Sequence, residues 1–282
     1  MRKPDTALRP SLAACLPDIP RHLLPGGFDT IGDIALFSLP QIIHAAASRI
    51  GESILGLHKH IRVAALRHGN CSGAQRLVRI DVVAGEQRLT TRHRENGIAL
   101  FLDLATVYFS TRMAGERLRL AQQAQAGERI CVLCSGAGPY PLTFARHSQA
   151  EEIHGIELNQ RAHSCALENM RLNRCEGRVH LHLGEAANTL GIIAQQFDRM
   201  VIALPWNAAG LAPASLARLR PEGILHCYAM ERSGQGSGRG SLIHALYSRC
   251  TEMKRRPEVL RSVRCGHCGP DLYRICHDVI IH

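Results

Sequence analysis

The chain has 282 residues, of which 45% are hydrophobic and 21% are charged. This length corresponds to about two domains at roughly 150 residues each, and the composition is that of a soluble, globular protein rather than a disordered one. The sequence lacks both a secretory signal and an apolar run of the roughly 20 residues needed to cross a bilayer, so we expect a cytoplasmic protein without a membrane partner.

The charge of the chain favours an anionic partner. The net charge is +10 and the pI is about 9.3, and nucleic acid is the most common partner of such proteins. Only Lys3, Lys59 and Lys254 are lysines, so an arginine-rich genome would give the same excess. Aromatic residues make up 4% of the chain, which disfavours a sheet that stacks RNA bases. The 11 cysteines lie largely in apolar segments, and this favours free thiols over a disulfide framework.

Upstream of about residue 110, the predicted elements are short and separated by turns. Apolar residues at helical spacing predict a helix over 41–57. The predicted strands are 34–39, 62–66, 77–83 and 98–104. We therefore predict a small α+β domain over residues 24–110, preceded by an N-terminal extension over residues 1–23.

Downstream, apolar strands alternate with helices. The predicted strands are 130–134, 153–157, 179–183, 200–204, 224–229, 259–263 and 273–281. The predicted helices are 141–146, 160–173, 212–219 and 242–250, and Ser233–Gly240 is predicted to be a flexible loop. This alternation predicts an α/β domain over residues 111–282, with a doubly wound parallel sheet covered on both faces.

Two motifs of the downstream domain favour a ribose-bearing cofactor. Ser135-Gly136-Ala-Gly138 follows the first strand, where glycines let the backbone approach a ligand, although a tight turn explains this motif alone equally well. Glu157 ends the second strand, where an acid accepts hydrogen bonds from both ribose hydroxyls; a surface carboxylate is the alternative. Glu185 follows the third strand and would recognise an adenine amino group or, equally, stabilise a helix N-terminus.

The same region disfavours other nucleotides. The sequence has no G-x-x-x-x-G-K-[ST] motif, which argues against a phosphate-binding loop. Position 141, where a dinucleotide-binding motif requires its third glycine, is a proline. These features favour S-adenosylmethionine, which has no pyrophosphate, over a dinucleotide.

From about residue 24 to the C-terminus, the chain carries an ordered series of family motifs. They are Phe28-Asp-Thr-Ile-Gly-Asp-Ile-Ala35, Ile50-Gly-Glu-Ser-Ile54, Val83-Ala-Gly-Glu86, Arg94-Glu-Asn-Gly97, Val107-Tyr-Phe-Ser110 with Arg112, Gly115-Glu-Arg117, Gly136-Ala-Gly-Pro139, Ile156-Glu-Leu-Asn159, Asn169 to Asn173, Phe197-Asp-Arg199, Leu204-Pro205 and Pro221-Glu-Gly-Ile-Leu-His226. In these motifs the chain resembles the archaeal and eukaryotic tRNA (guanine-37-N1)-methyltransferases and the related aminocarboxypropyl transferases of wybutosine synthesis. The resemblance implies a class I (Rossmann-like) methyltransferase fold with an antiparallel last strand, S-adenosylmethionine as cofactor, and methylation of a tRNA guanosine next to the anticodon.

The resemblance also implies site residues. Glu116 matches the general base for the guanine N1 proton, Arg76 matches the arginine that holds the guanine O6, and Tyr108 matches a tyrosine that shapes the pocket. Without the resemblance, Glu116 would be read as an acid in a first helical turn and Tyr108 as a core aromatic. The implied cofactor-binding residues are Tyr108, Ser135, Gly136, Gly138, Glu157, Leu158, Glu185, Ala186, Ala203 and Pro205. The implied substrate-binding residues are Arg112, Pro205 and Trp206.

Departures from the family pattern leave a second chemistry open. Val132 stands where the family has an aspartate, and Ala203 stands where the family has an asparagine that contacts the target base. Only about 23 residues precede the matching region, which is shorter than in archaeal members that grip the tRNA elbow. The alternative function is transfer of the 3-amino-3-carboxypropyl group, or its cyclisation to a small amino acid without RNA, releasing methylthioadenosine. A cofactor-binding RNA adaptor without turnover is the third hypothesis.

The partner is therefore either tRNA or a small-molecule substrate. A zinc site is the remaining cofactor hypothesis, from Cys265-Gly-His-Cys268 together with Cys276-His277. This stretch has a single close cysteine pair, and its spacing to the second group is unusual for zinc. We therefore expect no metal.

Overall fold

A computed structural model describes residues 8–72, 77–232, 242–269 and 271–282. The predicted catalytic residue Arg76 and the predicted loop Ser233–Gly240 lie outside the described residues. The chain forms two compact units. Unit 1 comprises Met1–Glu95 and Ala99–Thr111, and unit 2 comprises Asn96–Ile98 and Arg112–His282.

Unit 1 contains a four-stranded sheet with a helix packed on it. Its first elements are α1 (Leu8–Cys15), β1 (Asp29–Ile31), β2 (Ile34–Phe37), α2 (Ala47–Leu57), β3 (Val63–Ser72) and β4 (Leu77–Gly85), with a 3₁₀ helix at Gln41–Ala46. The strand order is β1-β2-β3-β4, with β2 and β3 parallel and the other two pairs antiparallel. Ile50 and Ile54 of α2 are fully buried against the sheet, as their helical spacing predicts.

The segment assigned to an N-terminal extension contributes to the core of unit 1. Leu8 and Leu12 of α1 are buried in the same apolar cluster as Ile50 and Ile54. Residues 8–23 therefore belong with the small domain rather than outside it. Prolines at positions 4, 10 and 17 obscured this short helix in the sequence, because proline usually marks a turn or a helix end.

A two-stranded sheet follows, formed by β5 (Thr90–Glu95) and β6 (Ile98–Asp103). Asn96 and Gly97 connect the strands with positive φ angles of 46° and 71°. A type I′ turn requires positive φ at both central residues, which explains the Asn-Gly sequence. Strand β5 was not predicted, because Thr-Thr-Arg-His-Arg-Glu contains no apolar residue and therefore no alternating pattern.

Unit 2 contains a seven-stranded sheet with the predicted alternation of strands and helices. Its elements are α3 (Ala114–Ala121), β7 (Arg129–Leu133), α4 (Pro139–His147), β8 (Glu152–Glu157), α5 (Gln160–Leu172), β9 (Val179–Leu183), α6 (Ala186–Ile192), β10 (Phe197–Ile202), α7 (Ala208–Arg218), β11 (Leu219–Arg232), α8 (Leu242–Glu252), β12 (Pro257–Gly269) and β13 (Leu272–Ile281). The strand order is β12-β13-β11-β10-β7-β8-β9. Strands β7 to β11 are parallel, and β13 runs antiparallel between β11 and β12. The predicted α/β fold with an antiparallel last strand is confirmed.

Helices cover both faces of this sheet. One face packs against α6, α7 and α8 through residues such as Leu190, Leu211 and Leu246, and the other packs against α3 and α4 through Leu120 and Phe144. The strand order reverses between β7 and β10, and ligands of open α/β sheets bind at the carboxyl ends of strands at such a reversal. Among the described helices, none is both long enough and apolar enough to cross a membrane.

Candidate active site

The turn between β7 and α4 carries the predicted glycines. Gly136 and Gly138 have φ angles of 59° and 85°, a left-handed conformation that glycine adopts without strain. Cys134, just before them, also has a positive φ angle of 58°. The Ser135 amide donates to the Ile156 carbonyl at 3.0 Å, and the Gly138 amide donates to the Ser135 carbonyl at 3.1 Å. The turn is therefore held in one shape at the carboxyl edge, directly before the N-terminus of α4.

Glu157, the last residue of β8, is fixed against this turn. The Gly136 amide donates to Glu157 Oε2 and the Asn159 amide donates to Oε1, both at 2.8 Å. The Gly184 amide donates to the Glu157 carbonyl at 2.9 Å and brings the end of β9 alongside. Each carboxylate oxygen can accept more than one hydrogen bond, so this orientation is compatible with acceptance of further bonds from ligand hydroxyls.

Exposed apolar side chains surround the same edge. Leu158 is 50% exposed directly after β8, Leu183 is 48% exposed at the end of β9, and Trp206 is 55% exposed after β10. Large apolar side chains exposed together at a sheet edge are typical of a ligand site. Ala203 and Pro205 are half-buried in the loop after β10, where the Ala203 amide donates to the Leu133 carbonyl at 3.1 Å.

Glu185 occupies a helix-capping position, which the sequence suggested as the alternative to adenine recognition. It is the N-cap residue of α6, and its Oε2 accepts a hydrogen bond from the Asn188 amide at 2.8 Å. Ala186, the first residue of the helix, is buried. The side chain is thereby oriented at the carboxyl edge after β9.

Glu116 lies in the first turn of α3 and is only 6% exposed. Arg119 donates through Nε to Oε2 and through Nη2 to Oε1, both at 2.7 Å. The Tyr228 hydroxyl donates to Oε1 at 3.2 Å. The carboxylate is therefore held by three side-chain hydrogen bonds. An acid that only stabilises the N-terminus of a helix would not need these partners.

These contacts belong to a longer chain of buried polar side chains, which we call the buried polar network. Its members are Glu128, Arg199, His226, Asp278, Arg119, Glu116, Tyr228 and Tyr140. Arg119 contacts Asp278 at 2.5 Å and 3.0 Å, and Asp278 Oδ1 lies 2.7 Å from His226 Nδ1. His226 Nε2 lies 2.7 Å from Nη1 of Arg199, whose Nε and Nη2 donate to Glu128 at 2.7 Å and 2.8 Å.

The partners of His226 define its proton position. Because the Arg199 guanidinium can only donate, His226 Nε2 accepts, and Nδ1 carries the proton that is donated to Asp278. Burial lowers the pKa of His226, whereas the hydrogen bonds from His226 and Arg119 hold the pKa of Asp278 far below its usual value against the opposing effect of burial. The network therefore contains a neutral histidine between charged groups.

His226, Asp278 and both tyrosines of this network were not predicted from the sequence. For His226, Tyr228 and Asp278, the available signal was a polar group inside an apolar strand, which needs a partner because an unpaired buried polar group is costly. Tyr140 lies in a helix and carried no such signal. Of the other candidates, Arg112 is exposed in unit 2 and Tyr108 is 43% exposed in unit 1. Tyr108 is thus not the core aromatic that its residue type alone suggests.

One group of residues in the described ranges has the spacing of metal ligands, and it lies outside the Cys265-Gly-His-Cys268 stretch, where the sequence led us to expect no metal. Potential ligand atoms of His226, Cys276 and Asp278 lie within 4.8 Å of one another. His226 and Cys276 both contact Asp278 Oδ1, at 2.7 Å and 3.5 Å, and Arg119 donates to the same carboxylate. Since a guanidinium already balances the carboxylate, the geometry fits a hydrogen-bonded cluster better than a cation site.

Family profiles match both units. The TRM5/TYW2 methyltransferase domain matches residues 91–235, which is half of the chain, and the TYW2 N-terminal domain matches residues 8–88.

Individual relatives agree with the profiles. The chain is 33% identical over 77% of its length to the tRNA (guanine(37)-N(1))-methyltransferase Trm5b of Pyrococcus abyssi, and this match spans 64% of that relative. It is 27% identical over 74% of its length to the tRNA 4-demethylwyosine(37)-methyltransferase Taw21 of Saccharolobus solfataricus, spanning 79% of it. The crystal structure of Pyrococcus abyssi Trm5b superposes with a TM-score of 0.82 at 30% identity, covering 93% of this chain and 76% of that one.

Proposed function

We propose that this chain, which belongs to the TRM5/TYW2 methyltransferase family, methylates a tRNA guanosine next to the anticodon with S-adenosylmethionine as methyl donor. The observation that carries the proposal is the 33% identity to a tRNA (guanine(37)-N(1))-methyltransferase. That match spans less than two thirds of the relative, so its activity is transferred here as a proposal.

The carboxyl edge of unit 2 fits an adenosine-containing cofactor. The Glu157 carboxylate, oriented by the amides of Gly136 and Asn159, would accept hydrogen bonds from the ribose hydroxyls. Leu158 and Leu183 offer apolar surface for the adenine ring, and Glu185 lies after the neighbouring strand. When bound, the sulfonium of the cofactor supplies an electrophilic methyl group. Ser135, Gly138, Ala186, Ala203, Pro205 and Tyr108 complete the proposed set.

The catalytic roles are assigned by residue. Glu116 takes the proton that leaves the acceptor nitrogen, because that nitrogen must lose a proton as it forms its bond to carbon. Arg76 stabilises the negative charge that gathers on the guanine oxygen. Tyr108 shapes the pocket, and Arg112 and Trp206 contact the substrate; the exposed indole of Trp206 is available to stack on a base.

The alternative function keeps the cofactor and changes the bond that is broken. Attack at the other sulfonium-bound carbon would transfer or cyclise the 3-amino-3-carboxypropyl group and release methylthioadenosine. Ala203 favours this alternative because its side chain cannot hydrogen-bond a guanine, and the match of residues 8–88 to the TYW2 N-terminal domain is consistent with it.

Product identity tests these functions. Purified protein is incubated with labelled S-adenosylmethionine and two tRNA transcripts that differ only in a guanosine or an adenosine next to the anticodon; a third arm contains no RNA. We expect adenosylhomocysteine and a methylated guanosine only with the guanosine transcript. Methylthioadenosine would overturn the proposal in favour of the alternative. Cofactor and tRNA binding without any product would favour the adaptor hypothesis.

A further inference from the structure

Two buried tyrosines form the end of the buried polar network beyond Glu116. Tyr228 of β11 is 1% exposed and Tyr140 of α4 is 6% exposed. The Tyr140 hydroxyl donates to the Tyr228 hydroxyl at 2.8 Å, and the Tyr228 hydroxyl donates to Glu116 Oε1 at 3.2 Å. The three side chains therefore form one continuous line of hydrogen bonds.

The direction of this line follows from the chemistry of its end. An ionised carboxylate only accepts hydrogen bonds, so Tyr228 must donate to Glu116, and the oxygen of Tyr228 is then available to accept from Tyr140. Both phenolic protons point toward the carboxylate. A proton that arrives at the oxygen of Tyr140 can therefore reach Glu116 by two short transfers, without movement of any heavy atom.

Because Glu116 is buried, a proton can reach it only through neighbouring groups. The carboxylate is 6% exposed and both of its oxygens are occupied by Arg119. Tyr140 is the second residue of α4, so its backbone lies directly after the glycine turn at the carboxyl edge where the cofactor is proposed to bind, while its side chain is buried beside Tyr228. The line of hydrogen bonds from Glu116 therefore ends at a residue whose backbone adjoins that turn.

We propose that Tyr140 and Tyr228 form a proton relay that carries the acceptor's proton to Glu116 during methyl transfer. This inference rests on the proposed function. The acceptor N–H bond breaks as the N–CH₃ bond forms and the S–CH₃ bond breaks. The acceptor proton moves to Tyr140 Oη, the proton of Tyr140 moves to Tyr228 Oη, and the proton of Tyr228 moves to Glu116 Oε1. The products are the methylated acceptor, the neutral thioether and a protonated Glu116.

The surroundings of the tyrosines suit this role. Burial raises the pKa of both phenols, so each remains protonated and can pass a proton only by accepting another. The charged groups that face the relay are Arg117, whose guanidinium lies 5.8 Å from the Tyr140 ring centre, and Arg119 on Glu116. Tyr140 accordingly would be a catalytic residue, and Tyr228 acts through it.

The test removes single hydroxyl groups. In Tyr228→Phe and Tyr140→Phe, we expect the single-turnover rate of methyl transfer to fall about 10- to 100-fold, within the range typical of proton-transfer catalysis. Cofactor affinity should stay within about twofold of wild type. In mixtures of light and heavy water, the wild-type rate should depend non-linearly on the deuterium fraction because several protons move together, and the variants should lose that curvature. Tyr247→Phe, on the exposed surface of α8, is the matched control.

Three outcomes would overturn the relay. The first is a Tyr228→Phe enzyme within about twofold of the wild-type rate. The second is a slower Tyr228→Phe or Tyr140→Phe enzyme with an unchanged deuterium dependence, since loss of packing alone would have that effect. The third is a wild-type enzyme that forms no methylated product, which would remove the proposed function as well. In the first two outcomes, the wild type still methylates and only the relay fails.

Discussion

The buried polar network lies in the same unit as the carboxyl edge that carries Gly136, Glu157 and Glu185, which we call the cofactor edge. The two regions use polar side chains in opposite ways. At the edge, Glu157 is held by two backbone amides of neighbouring residues, and the apolar side chains beside it are half exposed. In the network, Arg119 is held by the side chains of Glu116, three residues away, and of Asp278, which is remote in sequence. Arg199 is held by the side chain of Glu128, and both arginine side chains have little exposure. The edge therefore exposes groups that a ligand could contact, whereas most polar groups of the network are hydrogen-bonded to one another.

This contrast predicts that changes at the edge weaken binding, whereas changes in the network weaken folding. Glu116 is the residue where the two behaviours should meet, because it belongs to the network and is also the proposed base. The following variants test the contrast in order of expected effect.

Glu116→Gln should have the largest effect, a fall in methyl transfer of about 10²- to 10⁴-fold. Glutamine has nearly the same shape but cannot take a proton from the acceptor. We expect cofactor affinity, measured by calorimetry, to change little, since the cofactor edge is untouched. Glu176→Gln makes the same charge change on the exposed surface and should leave the rate unchanged. Near-wild-type turnover of Glu116→Gln would exclude Glu116 as the base.

Arg199→Met should cost about 3–5 kcal/mol of the free energy of unfolding, because it leaves the buried Glu128 and His226 without their partner. Urea unfolding measures this change. The matched control is Arg249→Met, whose ion pair with Glu252 is half exposed and should contribute about 0.5 kcal/mol or less. If Arg199→Met lowered the free energy of unfolding by less than about 1 kcal/mol, a stabilising role for the contacts of Arg199 with Glu128 and His226 would be contradicted.

The difference between the two regions also explains what the sequence could predict. The glycine turn and Glu157 are local features, recognisable from the end of one strand to the end of the next, about twenty residues apart. The family membership predicted from such motifs is confirmed by the profile match over residues 91–235. The sheet was predictable because its strands are apolar and alternate with helices.

The network as a whole was not predictable, because most of its pairs are remote in sequence. Arg119 and Asp278 are 159 residues apart, and Tyr228 and Glu116 are 112 residues apart. The polar residues His226 and Asp278 stand out within apolar strands, but only the antiparallel register of β11 and β13 places them directly opposite each other. The sequence thus signals that such residues need partners without saying which ones.

A cluster of neutral histidines sharpens the contrast with the charged network. His154 of β8 is 4% exposed, and its Nδ1 lies 3.1 Å from Nε2 of His182. Burial, with smaller contributions from His182 and His180, lowers the pKa of His154 from 6.5 to about 4. Between these two pH values the unfolded chain takes up a proton that the folded chain does not, so stability should fall as the pH decreases.

This dependence should amount to at most roughly 3 kcal/mol between pH 6.5 and pH 4, and His154→Gln should remove most of it. Part of the pH dependence of stability should persist in this variant, since the pKa of His182 is also lowered by burial. Urea unfolding at several pH values measures the effect, and the exposed His22→Gln is the control. An identical pH dependence in His154→Gln and wild type would show that another group is responsible.

Glu157→Gln should produce the smallest change and isolate the edge from the network. Glutamine retains one acceptor oxygen and replaces the other with an amide group that donates. One backbone amide and one ribose hydroxyl therefore lose their acceptor on this side chain. A hydrogen bond to a charged group contributes about 1.5–3 kcal/mol, which corresponds to roughly a 10- to 100-fold loss of cofactor affinity. Stability should fall by no more than about 1 kcal/mol, because the side chain is only partly buried. Glu151→Gln, an exposed acid of the same unit, should bind the cofactor normally. If Glu157→Gln instead lost several kcal/mol of stability and kept its affinity, the edge would behave like the network and the contrast between them would fail.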